Sequence, residues 1–198
     1  LHQDPRAFII CIVARLIKQK GFNLLFPIFE TILKELPVQL VVIGEGESDV
    51  MGYFQDLAAR YPDKAAAHLK FDSSLPHLVF GGADATLIPS KFEPSGLTQM
   101  EAMRYGCIPI VRKTGGLADS VEDFEPASES GTGFVFETFD ATALLIAVIR
   151  AFAAFGNERE WKKLQKRAMK KDFSWEYSAK KYAEMFSRAI RAHASLTL

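Results

Sequence analysis

The sequence predicts an α/β fold: a Rossmann-like, doubly wound parallel sheet of about six strands with extra helices at the carboxyl end. Short β-branched runs alternate with amphipathic segments over most of the chain, charged glycine-bearing loops follow strands, and consecutive helices appear only after Gly156. In order, Phe8 to Ala14 reads as a strand, Phe22 to Glu35 as a helix, Gln39 to Ile43 as a strand and Asp49 to Tyr61 as a helix. His68 to Phe71 follows as a strand, Leu75 to Phe80 as a short helix, and Ala85 to Ile88 as a buried strand. The segment from Leu97 to Tyr105 is a helix closed by Gly106, and Ile108 to Val111 is the next strand. Leu117 to Val121 is a short helix, Phe134 to Phe136 a strand, and Ala141 to Phe155 a helix with Asp140 as its N-cap. Strands separated by helices make parallel neighbours, whose right-handed crossovers cover both faces of the sheet. Residues 1–156 therefore read as one Rossmann-like domain. Residues 157–198 read as two further helices, Glu158 to Met169 and Trp175 to His193, the second capped by Ser174. These have no sheet position to fill, so they either pack on the domain or reach another.

Composition narrows the classes. With 198 residues and 48% hydrophobic content the chain is about one large domain, ample for a closed core. The balance of 24 basic and 24 acidic residues gives no electrostatic reason to expect nucleic acid or a membrane surface as partner. Lys162, Lys163, Lys166, Arg167, Lys170 and Lys171 form a basic stripe at helical spacing that reads as a solvated face. Cys11 and Cys107 are two thiols without metal-type spacing, so the expectation is a reducing compartment, the cytoplasm, and no metal. No apolar stretch reaches ~18 residues and no signal-like amino terminus is visible. The chain opens at Leu1 without methionine, which fits a fragment of a longer protein.

The richest stretch is Pro89 to Val121, PSKFEPSGLTQMEAMRYGCIPIVRKTGGLADSV. Glu93, Pro94, Ser95 and Gly96 occupy the turn after a strand, the edge at which open parallel sheets bind ligands. The first amides of the following helix, at Gly96, Leu97 and Thr98, lack intrahelical acceptors and suit a phosphate. Glu93 does not fit that phosphate, because two anions repel; it reads as an acceptor for hydroxyls. A ligand with both phosphate and many hydroxyls is a sugar nucleotide. Arg15 and Lys20, just after the first strand, leave the sheet at the same edge, and with the helix terminus they make a diphosphate clamp. Thr114, Gly115 and Gly116 repeat the strand-to-helix logic: they allow close approach to a sugar or phosphate, or form a plain turn. Phe71 is open to two readings, base stacking or core packing. The loop Gly44-Glu45-Gly46-Glu47 fails the dinucleotide fingerprint, since Asp49 stands where a third glycine is needed. Walker, serine-hydrolase and zinc-protease motifs are absent from the sequence.

KFEPSGLTQMEAMRYGCIPIVRKTGGLADSV, with ARLIKQKG before it and DFSWEYSAKKYAEMF after it, resembles the glycogen and starch synthases. Those are retaining glycosyltransferases with two facing Rossmann-like domains, the GT-B architecture. The resemblance covers nearly the whole chain and matches the carboxyl-terminal, donor-binding half. It implies that Arg15 and Lys20 hold the leaving diphosphate, that Glu93 contacts the donor sugar, and that Gly96, Leu97 and Thr98 form the phosphate-binding turn. Phe71 falls where the family commonly stacks a tyrosine on the base. Ser95 replaces the usual cysteine of E-P-C-G-L, a small-for-small change. Glu101 completes the wider superfamily's pair of glutamates separated by seven residues, is implied to meet the ribose hydroxyls, and keeps a broader sugar-nucleotide transferase reading open. The substrate implied is ADP-glucose or UDP-glucose, with no cofactor and no metal. The acceptor, an α-1,4-glucan, would be held by an amino-terminal domain absent from this sequence. Rival readings are a sucrose-related or mannosyl retaining transferase, and a nucleotide-binding module without catalysis.

Overall fold

The computed structural model describes residues 1–196. Six strands, β1 (Phe8–Val13), β2 (Val38–Ile43), β3 (Ala65–His68), β4 (Ala85–Ile88), β5 (Ile108–Arg112) and β6 (Phe134–Phe136), form one sheet in the order β3-β2-β1-β4-β5-β6. Every pairing is parallel. The order reverses between β1 and β4, so the crossovers that follow them leave for opposite faces of the sheet, and the edge at their carboxyl ends is where doubly wound sheets hold ligands.

Burial on both faces explains why the central strands read as unbroken apolar runs. Phe8, Ile10 and Ile12 lie fully buried on β1 opposite Val38, Leu40 and Val42 of β2. The helices α1 (Phe29–Glu35), α2 (Ser48–Arg60), α3 (Leu75–Gly82), α4 (Thr98–Arg104), α5 (Gly115–Ser120) and α6 (Ala141–Phe155) connect and cover the strands. The Asp140 carboxylate accepts the Ala143 N–H at 2.9 Å, capping α6 as its sequence position predicts. Helix α7 (Glu158–Lys170) docks through buried Trp161, Leu164 and Ala168, and the Trp161 ring meets Phe8 edge-on at 5.6 Å. In its basic stripe Lys163 pairs with Glu129 at 2.6 Å and Lys162 with Glu158 at 2.5 Å, while the half-buried Arg167 donates to the Gly131 carbonyl at 3.0 Å. Helix α8 (Trp175–Leu196) starts behind Ser174, whose hydroxyl accepts the Tyr177 N–H at 3.3 Å, and leaves Trp175, Tyr182, Phe186 and Ile190 exposed.

Several boundaries differ from the expectation, three of them close to the binding edge. The helix expected over Phe22 to Glu35 is a 3-10 turn at Phe22–Leu24 followed by α1 from Phe29, because Pro27 offers no N–H and disfavours helical backbone at Phe26. The third strand is Ala65–His68 rather than His68 to Phe71; pairing with Leu40–Ile43 overrides the weak strand propensity of three alanines. Phe71 consequently stands in the loop beyond β3. Helix α5 begins at Gly115, two residues before the expected Leu117, with both glycines inside its first turn.

Cys11 on β1 and Cys107 before β5 are free thiols whose Sγ atoms lie 3.9 Å apart, although their separation in sequence gave no sign of it. Both are fully buried, and burial pushes the Cys107 thiol well above its ordinary value, which keeps it protonated and unreactive. No single helix among the described residues is long and apolar enough to cross a membrane.

Candidate functional site

The loops after β1 and β4 meet at the switch point. The Lys91 N–H donates to the Gln19 carbonyl at 2.9 Å and the Gln19 side chain returns a bond to the Phe92 carbonyl at 3.3 Å. Gly21 takes a left-handed conformation (φ 75°) where an added Cβ would sit 2.1 Å from the Pro89 carbonyl oxygen, so only glycine permits the approach. At this junction the Lys20 ammonium is 2.5 Å from Glu93 Oε2, with the two side chains only 18% and 13% exposed. Ser90, itself fully buried, donates to the same carboxylate oxygen at 3.1 Å.

Sequence reasoning set Lys20 on a phosphate and Glu93 on a sugar as separate roles; the structure couples them in one ion pair. An ammonium has three N–H donors, so pairing with Glu93 leaves two for an incoming ligand. Arg15 is exposed in the loop after β1 and forms no ion pair among the described residues. The amides of Gly96, Leu97 and Thr98 have no hydrogen-bond acceptor among the described residues. Helix α4 behind them has only seven residues, so the open amides rather than a long helix dipole are what this turn offers an anion.

The turn carrying Ser95 and Gly96 rests on the start of α5. The Gly116 N–H donates to the carbonyls of Glu93 at 3.0 Å and Pro94 at 3.2 Å. Built Cβ atoms at Gly115 and Gly116 would fall 2.1 Å from the Glu93 oxygen and 1.7 Å from the Ser95 oxygen. The two glycines therefore let α5 pack directly on the backbone of the Glu93 turn. Thr114, half-buried, is the extended residue before α5, and its carbonyl accepts the Leu117 N–H at 3.1 Å. Gly116→Ala should lower stability by about 1–3 kcal/mol, since backbone must move to admit the methyl. A thermal melt is expected to show a midpoint lower by roughly 3–10 °C, and an unchanged midpoint would show that the turn yields freely.

Three residues that the sequence reading did not assign to the site hold it in place. Arg112, at the end of β5, donates from Nε to the Ser90 carbonyl at 2.9 Å, from Nη2 to Lys91 at 2.5 Å and from Nη1 to Glu137 at 3.3 Å. It thereby fixes the backbone just before Glu93 against the end of β6. The fully buried Gln99 amide donates to the Gly96 carbonyl and to Ser120 Oγ, both at 2.9 Å, tying α4 to α5. Ser90 is the third. A charged residue ending an otherwise apolar strand was the one available signal, at Arg112.

The remaining expected residues lie on either side. Phe71 is 77% exposed, which excludes the core reading, and its N–H donates to Glu45 Oε2 at 3.2 Å. Glu101 is exposed on α4 and, with Leu97, Arg104, Lys170 and Asp172, lines a cavity of about 600 Å³ between α4 and the junction of α7 with α8. Lys18 pairs with Glu47 at 3.8 Å and Asp49 at 3.3 Å, and its hydrogen bond holds the Asp49 carboxyl below its ordinary range. Among the described residues no cluster of histidine, cysteine, aspartate and glutamate could hold a metal ion.

Known proteins match this arrangement over nearly the whole chain. Residues 2–170 match the model of the family described as glycosyl transferases group 1. Glycogen synthase 1 of Synechocystis sp. is 41% identical over 190 residues, spanning 96% of this chain and 40% of that protein. Glycogen synthase of Anoxybacillus flavithermus is 44% identical over 182 residues, spanning 92% and 37% respectively. Among solved structures, the catalytic domain of starch synthase IV from Arabidopsis thaliana, bound to ADP and acarbose, superposes with a TM-score of 0.82 at 37% identity, covering 95% of this chain and 39% of that one. The chain thus spans about two fifths of the length of these relatives.

Proposed function

The chain belongs to the group 1 glycosyl transferases, and from that premise we propose that it is the donor-binding half of a glycogen or starch synthase. It holds ADP-glucose, or UDP-glucose, for transfer of an α-glucosyl unit to the non-reducing end of an α-1,4-glucan with retention. One observation carries the proposal: the Lys20–Glu93 pair joins the β1 and β4 loops at the switch point, with Arg15 in the first loop and the open amides of Gly96 to Thr98 in the second. The relatives supply the sugar and the acceptor class, and the Arabidopsis structure in particular holds ADP and acarbose.

In this reading the bond from glucose C1 to the diphosphate oxygen breaks while C1 bonds to the 4-hydroxyl oxygen of the acceptor. The hydroxyl proton passes to the departing phosphate on the same face. Charge accumulates on the diphosphate as it leaves, and Arg15, Lys20 and the turn amides stabilise that charge more than the ground state. Ser95 contributes backbone to the same turn. Glu93, held by Lys20 and Ser90, accepts hydroxyls of the glucose, and Phe71 stacks on the base. Cations and amides already neutralise the diphosphate, so the proposed chemistry needs no metal. The acceptor glucan is held by a second domain, toward which α8 extends, and two reduced thiols fit a cytoplasmic setting.

Calorimetric titration of residues 1–198 with ADP tests the nucleotide site, and modest affinity is expected. The same preparation is expected to incorporate no labelled glucose into glycogen, because half a cleft cannot position an acceptor. Absence of ADP binding would overturn the donor-site reading, and robust incorporation would overturn the division of labour between two domains.

A further inference from the structure

Among the groups around Glu93, Ser90 has no part of its own in the proposed transfer, yet it is firmly held. It stands just beyond the end of β4 and is fully buried. Burial alone does not oblige a hydroxyl to find a partner here: Thr86, on the same strand and equally buried, has none among the described residues. Ser90 gives its one O–H to Glu93 Oε2 at 3.1 Å. The direction of that bond follows from chemistry, since a carboxylate only accepts and a hydroxyl has a single proton to donate.

Both donors to Glu93 fall on the same oxygen. Lys20 also meets Oε2, at 2.5 Å, while Oε1 has no partner among the described residues. The two donors differ in what holds them. Lys20 carries its ammonium on a long side chain, and in the donor-site reading the same ammonium is drawn on by the diphosphate. Ser90 is fixed through its backbone: Arg112 Nε donates to its carbonyl at 2.9 Å, with the guanidinium lying 5.5 Å over the Phe139 ring, and the N–H of the next residue, Lys91, donates to the Gln19 carbonyl at 2.9 Å. The last torsion of a glutamate is broad and roughly two-fold, so a carboxylate without a fixed donor turns freely. When Lys20 engages the diphosphate, Ser90 is the donor that stays in place.

We propose that Ser90 is a positioning residue for the transfer, anchoring Glu93 Oε2 so that Oε1 is kept for the hydroxyls of the donor glucose; this rests on the reading of Glu93 as the sugar contact. Ser90 itself touches no substrate atom. It acts through Glu93, as Arg112 acts through the backbone of Ser90. Since ADP carries no glucose, the contribution of Ser90 belongs to transfer and not to nucleotide binding.

Ser90→Ala in the complete synthase should lower kcat about 10-fold, the value of one hydrogen bond to a charged group, while ADP affinity measured by calorimetry stays within about twofold of wild type. The discriminating background is Glu93→Ala, which has no carboxylate to hold: adding Ser90→Ala there should change kcat by less than about twofold. Ser90→Cys keeps a weaker donor and should fall between Ser90→Ala and wild type; it carries the same comparison if the alanine variant does not fold. A wild-type kcat in Ser90→Ala overturns the proposal. So does an equal loss in both backgrounds, or a parallel loss of ADP affinity, since either makes the hydroxyl a support of the whole turn and not of Glu93. If Glu93→Ala itself keeps the wild-type kcat, the sugar-contact reading fails, and the role of Ser90 fails with it.

Discussion

Lys20→Ala in the complete synthase is expected to lower kcat by about 10²–10³-fold with a much smaller rise in KM. In the proposed transfer the ammonium meets charge as it builds on the departing diphosphate, and an interaction that strengthens toward the transition state appears in kcat. The structure adds a second contribution. Lys20 and Glu93 are 2.5 Å apart and mostly enclosed, so removing the cation leaves a partly buried carboxylate with Ser90 as its remaining donor. Steady-state kinetics on a glucan acceptor, with a melt to confirm folding, decide the matter. A wild-type kcat with a raised KM would mean that Lys20 serves ground-state binding alone.

Glu93→Gln should cut transfer by about 10²-fold while leaving ADP affinity within about twofold of wild type. A charged hydrogen bond to a substrate hydroxyl is worth about 1.5–3 kcal/mol, and ADP carries no glucose to report its loss. Glutamine still offers an oxygen to Lys20 and Ser90, which keeps the turn in place and isolates the effect of charge. Calorimetry beside an activity assay separates the two quantities. A parallel loss of ADP affinity would show that Glu93 acts on the nucleotide through Lys20. Because the two groups touch, the double variant Lys20→Ala, Glu93→Gln should cost clearly less than the sum of the singles.

How much of this was legible in the sequence depended on whether the information is local. The β4, β5 and β6 strands and the α6 cap were readable because an apolar run or a capping aspartate declares itself within a few residues. The third strand was misplaced because Ala65 to Ala67 carry almost no strand signal of their own and are held by pairing with β2. Family resemblance named Arg15, Lys20 and Glu93 one by one, but the contact between Lys20 and Glu93 joins residues 73 apart and depends on how two crossovers bring their loops together. Arg112 escaped for the same reason: its three acceptors are backbone carbonyls, which leave no mark in a sequence. The TGGL glycines were left between close approach to a ligand and a plain turn, and their observed contacts are with the backbone of the Glu93 turn.

That contact has a consequence for how freely this protein can vary. At Gly116 the obstacle is the first side-chain carbon, 1.7 Å from the Ser95 oxygen, and all nineteen alternatives carry that carbon. Substitution there is blind to chemistry: aspartate, serine and valine meet the same wall before their differences begin. A mutational scan across the region should therefore show graded tolerance at Ser95, whose side chain projects from an exposed turn, and a uniform step at Gly116 that no choice of residue softens. The geometry of the Glu93 turn is thus guarded from the first turn of the next helix.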